Sequence, residues 1–182
     1  MRPAVQLFLT SSILLLAATA CVTVQDDPGG DPGVQKPLVV FLVRHGEKVD
    51  ADSDPELSDA GRERAALLAQ TLSDVQLQHV HSSDYIRTRD TAGPTASAHG
   101  LEVQLYDPRD LPAIASRLKE MGGRHLVVGH SNTTPALVEL LGGDPRAEID
   151  ESAEYDRLYI VTIGPDGTSK SALLRYGTPY IP

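Results

Sequence analysis

The sequence predicts an α/β fold: a three-layer α/β/α sandwich on a mostly parallel sheet, closed by a C-terminal β-hairpin. Three observations predict it. From residue 37 onward, apolar runs alternate with segments of helical periodicity. The runs PLVVFLV (37–43) and HLVVGH (125–130) are continuous, as strands covered on both faces are. The stretch RLYIVTIGPDGTSKSALLRYG (157–177) sets two strand patterns around Pro165-Asp166-Gly167, a hairpin signal.

Taken in order, the first strand is residues 37–43. Ser58 is a helix N-cap ahead of Asp59-Ala60-Gly61, and Ala65, Leu68, Ala69 and Leu72 follow at helical spacing. VQLQHVHSS (75–83) holds the second strand, and residues 84–100 a second helix closing near Gly100. LEVQLY (101–106) is a third strand, and Leu111 to Met121 a third helix stopped at Gly122-Gly123. Residues 125–130 form the fourth strand, and Pro135 to Leu141 a fourth helix ending at Gly142-Gly143.

The chain has 182 residues, of which 41% are hydrophobic and 23% charged, the balance of a globular protein. Its formal net charge of −9 argues against a nucleic-acid binder, which needs a basic face. The amino-terminal part differs in composition. Residues 7–20, LFLTSSILLLAATA, are uncharged and too short to span a bilayer, which takes about 20 residues; with Arg2 ahead they form a signal-peptide pattern. The only cysteine, Cys21, follows directly, and the junction resembles the lipobox of bacterial lipoproteins. The expected organisation is a signal peptide over 1–20, a lipidated Cys21 with a Gly/Pro/Asp-rich tether to residue 36, and one folded domain over 37–182. Val22 after the cysteine favours, by resemblance to Gram-negative sorting, the outer membrane facing the periplasm.

In parallel sheets, ligands sit outside the carboxyl ends of the strands. Three stretches deliver polar groups to that edge. The first strand ends in Arg44-His45-Gly46, and the second in Ser82-Ser83 with Arg87 in the next first turn. The fourth ends in Gly129-His130 and runs through Ser131-Asn132-Thr133 into a helix. Helix N-termini following two of them favour anions.

RHG at a strand end, SSDYIRTRDTA and VVGHSNT, in this order, resemble the histidine phosphatase superfamily and its phosphoglycerate mutase-like fold. The resemblance implies that His45 is a nucleophile forming a phosphohistidine, with Arg44, Arg87 and His130 completing the phosphate pocket. The chemistry suits these residue types. Arginine forks match phosphate oxygens and keep their charge. A nucleophilic imidazole must be neutral, with its second nitrogen held by an acceptor. Gly46 lets backbone come close without a Cβ.

Mutase-like members carry a proton donor after the third strand. Asp107 in Leu105-Tyr106-Asp107 fits that context, with Glu47 and Asp110 as alternatives and a turn-forming Asp107 before Pro108 as the bland reading. Asn132 either contacts substrate or caps the following helix. No metal site and no cofactor are expected. Asp50, Asp52 and Asp54 open like a calcium loop, but Pro55 breaks the pattern, and His79 and His81 show no third ligand. The acidic loop 47–59, directly after His45, leads to the expectation that it rims the pocket and disfavours highly anionic substrates.

The function expected is a metal-independent phosphomonoester hydrolase working through His45, anchored through Cys21, with a small phosphorylated substrate as partner. The alternatives are an envelope lipoprotein that only binds phosphorylated glycans or lipids, a phosphomutase, or a phosphohistidine phosphatase.

Overall fold

The apolar run after Pro37 becomes strand β1 (Leu38–Arg44), and its side chains alternate between two cores. The computed structural model describes residues 36–49 and 53–182; Cys21 and nearly all of the expected tether lie outside them. After β1 come helix α1 (Asp59–Thr71), strand β2 (His79–Ser83) and helix α2 (Ile86–Ala98). Strand β3 (Val103–Tyr106), helix α3 (Leu111–Met121), strand β4 (Gly123–Gly129) and helix α4 (Thr133–Leu140) follow. Strands β5 (Arg157–Ile163) and β6 (Ser169–Arg175) end the series as an antiparallel hairpin.

The strands form one sheet in the order β3-β2-β4-β1-β5-β6. β3, β2, β4 and β1 pair in parallel, β5 runs antiparallel to β1, and β6 antiparallel to β5. One face packs Leu38, Val40, Leu42 and Val127 against Ile114 and Leu118 of α3 and Leu137 and Val138 of α4. The other packs Phe41, Val43, Val80 and Leu126 against Leu68 of α1 and Ala92 and Ala96 of α2. This is the three-layer sandwich the sequence predicts, and it explains why β1 is apolar from Leu38 to Val43: both faces are covered.

The element limits differ for local reasons. β2 begins at His79 because Leu77 turns back through its amide to the Val75 carbonyl at 2.7 Å, which no strand ladder allows. β4 begins at Gly123, whose φ of 89° carries the chain from helix to strand. Ser58 does cap α1, its hydroxyl accepting the Gly61 amide at 3.2 Å. A third histidine joins His79 and His81: His125 on β4 lies level with His79 and bonds His81 (Nε2 to Nδ1, 3.0 Å). Its own Nε2 donates to the Gly122 carbonyl at 2.6 Å. The three rings stack as a buried polar ladder, and among the described residues no group of metal-ligating side chains could hold an ion. Among them, too, no helix is long and apolar enough to cross a membrane.

Candidate active site

The carboxyl edge of the parallel strands carries a cavity of about 410 Å³. Arg44 and His45 leave β1 into it, Arg87 enters from the first turn of α2, and His130 from the end of β4. The four residues of the expected phosphate pocket are therefore brought together.

Arg44 is 2% exposed, and backbone carbonyls hold its guanidinium. Nη1 donates to the carbonyls of Asp150 (3.1 Å) and Glu154 (3.0 Å), and Nη2 to that of Glu151 (2.6 Å). The Tyr155 ring lies beneath it, 3.9 Å from Cζ. Arg87 stacks on Tyr85 and makes a 3.3 Å contact from Nη1 to Asp54. In both arginines Nε–H is buried without a protein partner. A buried donor left unmatched costs about 1–3 kcal/mol. The two guanidinium groups line one cavity, a charge pattern that suits an oxyanion.

His45 is 3% exposed, with Nδ1 2.7 Å from the carbonyl oxygen of Gly46. A carbonyl can only accept, so Nδ1 carries the proton and Nε2 the lone pair. Burial, helped by Arg44, His130 and Arg87 nearby, pushes its pKa down to about 3 against the Gly46 bond, which acts the other way. Burial beside Arg87 and Arg44 also lowers His130, to about 4. His130 Nε2 lies 2.9 Å from Ser83 Oγ, its amide donates to Thr133 Oγ1, and its ring meets His45 edge-on at 5.5 Å. Both imidazoles are neutral at neutral pH.

Gly46 is needed for packing. A Cβ there would stand 2.8 Å from the Gly61 carbonyl oxygen, and one at Gly61 would stand 2.1 Å from that of Glu47. The close approach is to α1, which is pressed against the end of β1.

The expected acids are placed elsewhere. Asp107 is exposed, and its carboxylate accepts the Nε, Nη2 and amide of Arg109, each at 2.9 Å. Those bonds lower its pKa and keep it ionised, and it lines a neighbouring cleft rather than this cavity. Glu47 is clasped by Arg64 of α1, with Nη2 to Oε1 at 2.7 Å; burial pushes its pKa up, but the Arg64 bonds outweigh this and lower it. Asp110 caps α3 through the Ala113 amide. Neither Glu47 nor Asp110 lines the cavity.

Asn132 lines the cavity at the N-cap position of α4, yet its side chain makes no capping bond. Asp54 Oδ1 takes the first amide of α2, that of Ile86, at 2.9 Å, while Ser131, Asn132 and Thr133 at the start of α4 line the cavity. Sequence reasoning missed Lys48, Tyr85, Arg109 and Glu151 in the lining, and Tyr155 beneath Arg44. Glu151 is the one carboxylate among the described lining residues. It sits in an irregular turn where neither periodicity nor a motif marks it.

Residues 40–108 match the model of the histidine phosphatase superfamily (branch 1). A "Probable phosphoglycerate mutase GpmB" of Serratia proteamaculans is 43% identical over 79 residues, 40% of this chain and 36% of that protein. The chain thus spans about a third of the length of the curated relatives it matches. Among solved structures, the protein histidine phosphatase SixA complexed with tungstate superposes with a TM-score of 0.63 at 22% identity, covering 76% of this chain and 97% of that one. A mycobacterial glucosyl-3-phosphoglycerate phosphatase gives 0.58 at 17%, covering 78% and 99%. A phosphoglycerate mutase of Bacillus anthracis gives 0.58 at 16%, covering 79% and 94%. Residues 40–108 thus resemble the histidine phosphatase superfamily in sequence, and the described residues share the fold of these solved structures.

Proposed function

We propose that the protein is a phosphomonoester hydrolase acting through a phosphohistidine on His45. The observation that carries this reading is the pairing of a neutral His45, its Nε2 lone pair free of the Gly46 bond, with the side chains of Arg44, Arg87 and His130 in the lining of one cavity. Nε2 attacks phosphorus, a P–N bond forms, and the ester P–O bond breaks. Arg44 and Arg87 stabilise charge on the equatorial oxygens. The leaving oxygen takes a proton from Glu151. Water then attacks the phosphohistidine, Glu151 takes the proton back, and the P–N bond breaks to release orthophosphate. No step needs a metal. SixA binds tungstate, an oxyanion shaped like phosphate, which supports the anion seat by fold likeness.

The names of the sequence relatives favour one rival, a mutase. A mutase shares the phosphoenzyme but returns the phosphoryl group to an organic acceptor. Purified protein with an aryl phosphate and a chelator tests the choice. Orthophosphate release that survives chelation and vanishes in His45→Ala supports the hydrolase; a labelled phosphoenzyme that discharges only to an added alcohol supports the mutase. A folded protein that binds phosphate analogues without turnover supports the binding-only reading.

The uncharged run before Cys21 supports a second part of the proposal, attachment to the bacterial envelope through a lipid on that cysteine, facing the periplasm. Cell fractionation tests it: Cys21→Ser should move the protein from the membrane to the soluble fraction.

A further inference from the structure

The segment after β6 is tied down by buried charges. Arg64, 6% exposed, donates Nη1 to the Tyr176 carbonyl at 2.7 Å and Nη2 to the Thr178 carbonyl at 3.1 Å. Asp156, 1% exposed, accepts the Tyr180 amide at 2.9 Å. Residues beyond an edge strand ordinarily fray unless something fastens them. What these ties deliver is the Tyr180 side chain, whose hydroxyl donates to Asp150 Oδ2 at 3.1 Å. The other oxygen of that carboxylate accepts Ser152 twice, from its amide at 2.8 Å and its hydroxyl at 2.6 Å. Glu151 stands between these two residues, so the Asp150 carboxylate grips the backbone on both sides of it. The same turn serves Arg44, because the carbonyls of Asp150 and Glu151 accept its Nη1 and Nη2. Arg44 and Glu151 line the cavity, whereas Asp150 and Tyr180 stand behind it. The core does not need this second tie: Asp150 is half-buried, and the buried Glu154 already anchors the turn through the Asp150 amide at 3.1 Å.

We propose that Asp150, with Tyr180 as its anchor, is a positioning residue: it aims the Glu151 carboxyl at the leaving group and the Arg44 fork at the phosphoryl group. This rests on the hydrolase reading and on Glu151 as the proton donor within it. A turn free to shift by about 1 Å leaves both groups in the cavity but out of line, which costs on the order of 10²-fold where geometry is demanding. The loss falls on substrates that need the proton.

The test reads the ratio of kcat/KM for p-nitrophenyl phosphate to that for ethyl phosphate. Asp150→Ala is expected to raise this ratio roughly tenfold, because only the alkyl ester depends on the Glu151 proton. Tyr180→Phe, which removes one hydroxyl, should shift it in the same direction. Asp150→Asn, which keeps an acceptor for Ser152, should restore most of it. In a Glu151→Gln background neither Asp150→Ala nor Tyr180→Phe should move the ratio further. A purely structural role lowers the amount of active protein and slows both esters alike. That uniform loss, an unchanged ratio, or a shift that persists without the Glu151 carboxyl overturns the proposal. Tyr180→Phe carries the same readings should Asp150→Ala not fold. Absence of turnover of either ester by the unaltered protein sinks the hydrolase reading alone, and tungstate titration by calorimetry then decides. Affinity weakened roughly fivefold by the same substitution supports the aiming of Arg44, and equal affinity overturns that too.

Discussion

Nδ1 of His45 lies 2.7 Å from the carbonyl oxygen of Gly46, and this one hydrogen bond decides which ring nitrogen can attack phosphorus. It also sets the acid limit of the site. Protonation would remove the Nε2 lone pair and add a cation beside Arg44 and Arg87, so the active form is the neutral one. With His45 at about 3 and His130 at about 4, activity is present above these values and lost as pH falls through them. The kcat/KM profile, corrected for the second ionisation of the substrate, should show its acid limb near pH 3–4. A limb near 6.5 would mean that these imidazoles are not held neutral by burial. His45→Asn should lose at least about 10³-fold in kcat.

Glu151 should matter in proportion to how badly the leaving group needs a proton. Glu151→Gln is expected to slow alkyl phosphates by about 10²-fold or more and to leave p-nitrophenyl phosphate little changed. A uniform loss across leaving groups would assign Glu151 to binding. The same series on Asp107→Asn should be flat, since that carboxylate is exposed and tied to Arg109.

Arg44 depends on a residue it reaches only through backbone. Glu154 is 2% exposed and accepts Arg157, Arg175 and the Asp150 amide, and so shapes the turn whose carbonyls hold the Arg44 guanidinium. Glu154→Gln leaves the buried Arg157 without its counter-charge. The expected cost is about 3 kcal/mol in urea unfolding, with a raised KM for phosphate esters. Unchanged stability would show that the turn stands without the carboxylate.

Acid should weaken the fold before it touches the chemistry. His81 is fully buried, and burial next to His125 lowers its pKa from 6.5 to about 3. Between those values the unfolded chain holds a proton that the folded chain does not. Unfolding then takes up a proton, and stability drops as pH falls, by about 1.4 kcal/mol per pH unit for that histidine. Thermal unfolding from pH 7 to 4 should show the slope, and His81→Leu should flatten it by one proton even if its baseline is lower. An unaltered slope would place the sensitivity in His45, His125 and His130, which burial also lowers.

Elements with a repeating pattern were legible in the sequence, and those held by single long-range contacts were not. The alternating cores of β1, the Ser58 cap and the turn at Gly167 (φ 77°) all follow from residue type and spacing. Arg44, His45 and His130 at strand ends, and Arg87 in the helical turn after β2, were placed because strand ends in a parallel sheet share an edge and their motifs carry the family resemblance. Glu47 and Asp107, carried as alternative acids, pair with Arg64 and Arg109 instead, and which arginine takes each carboxylate is set by the fold and not by spacing from His45. Glu151 and Tyr155 could not be found at all. They come from an irregular segment, and what brings them to β1 is the Arg44 guanidinium reaching across the fold.

The direction of β1 has a consequence for geography. Arg44 and His45 stand at its carboxyl end, whereas Lys36 and Pro37 enter at the opposite margin, where the Pro37 carbonyl receives the Gly123 amide at the start of β4. Seven residues of strand, roughly 23 Å, separate entry from mouth. The chain thus joins the fold at the margin opposite the mouth, so whatever precedes residue 36 is attached away from the edge where a ligand enters.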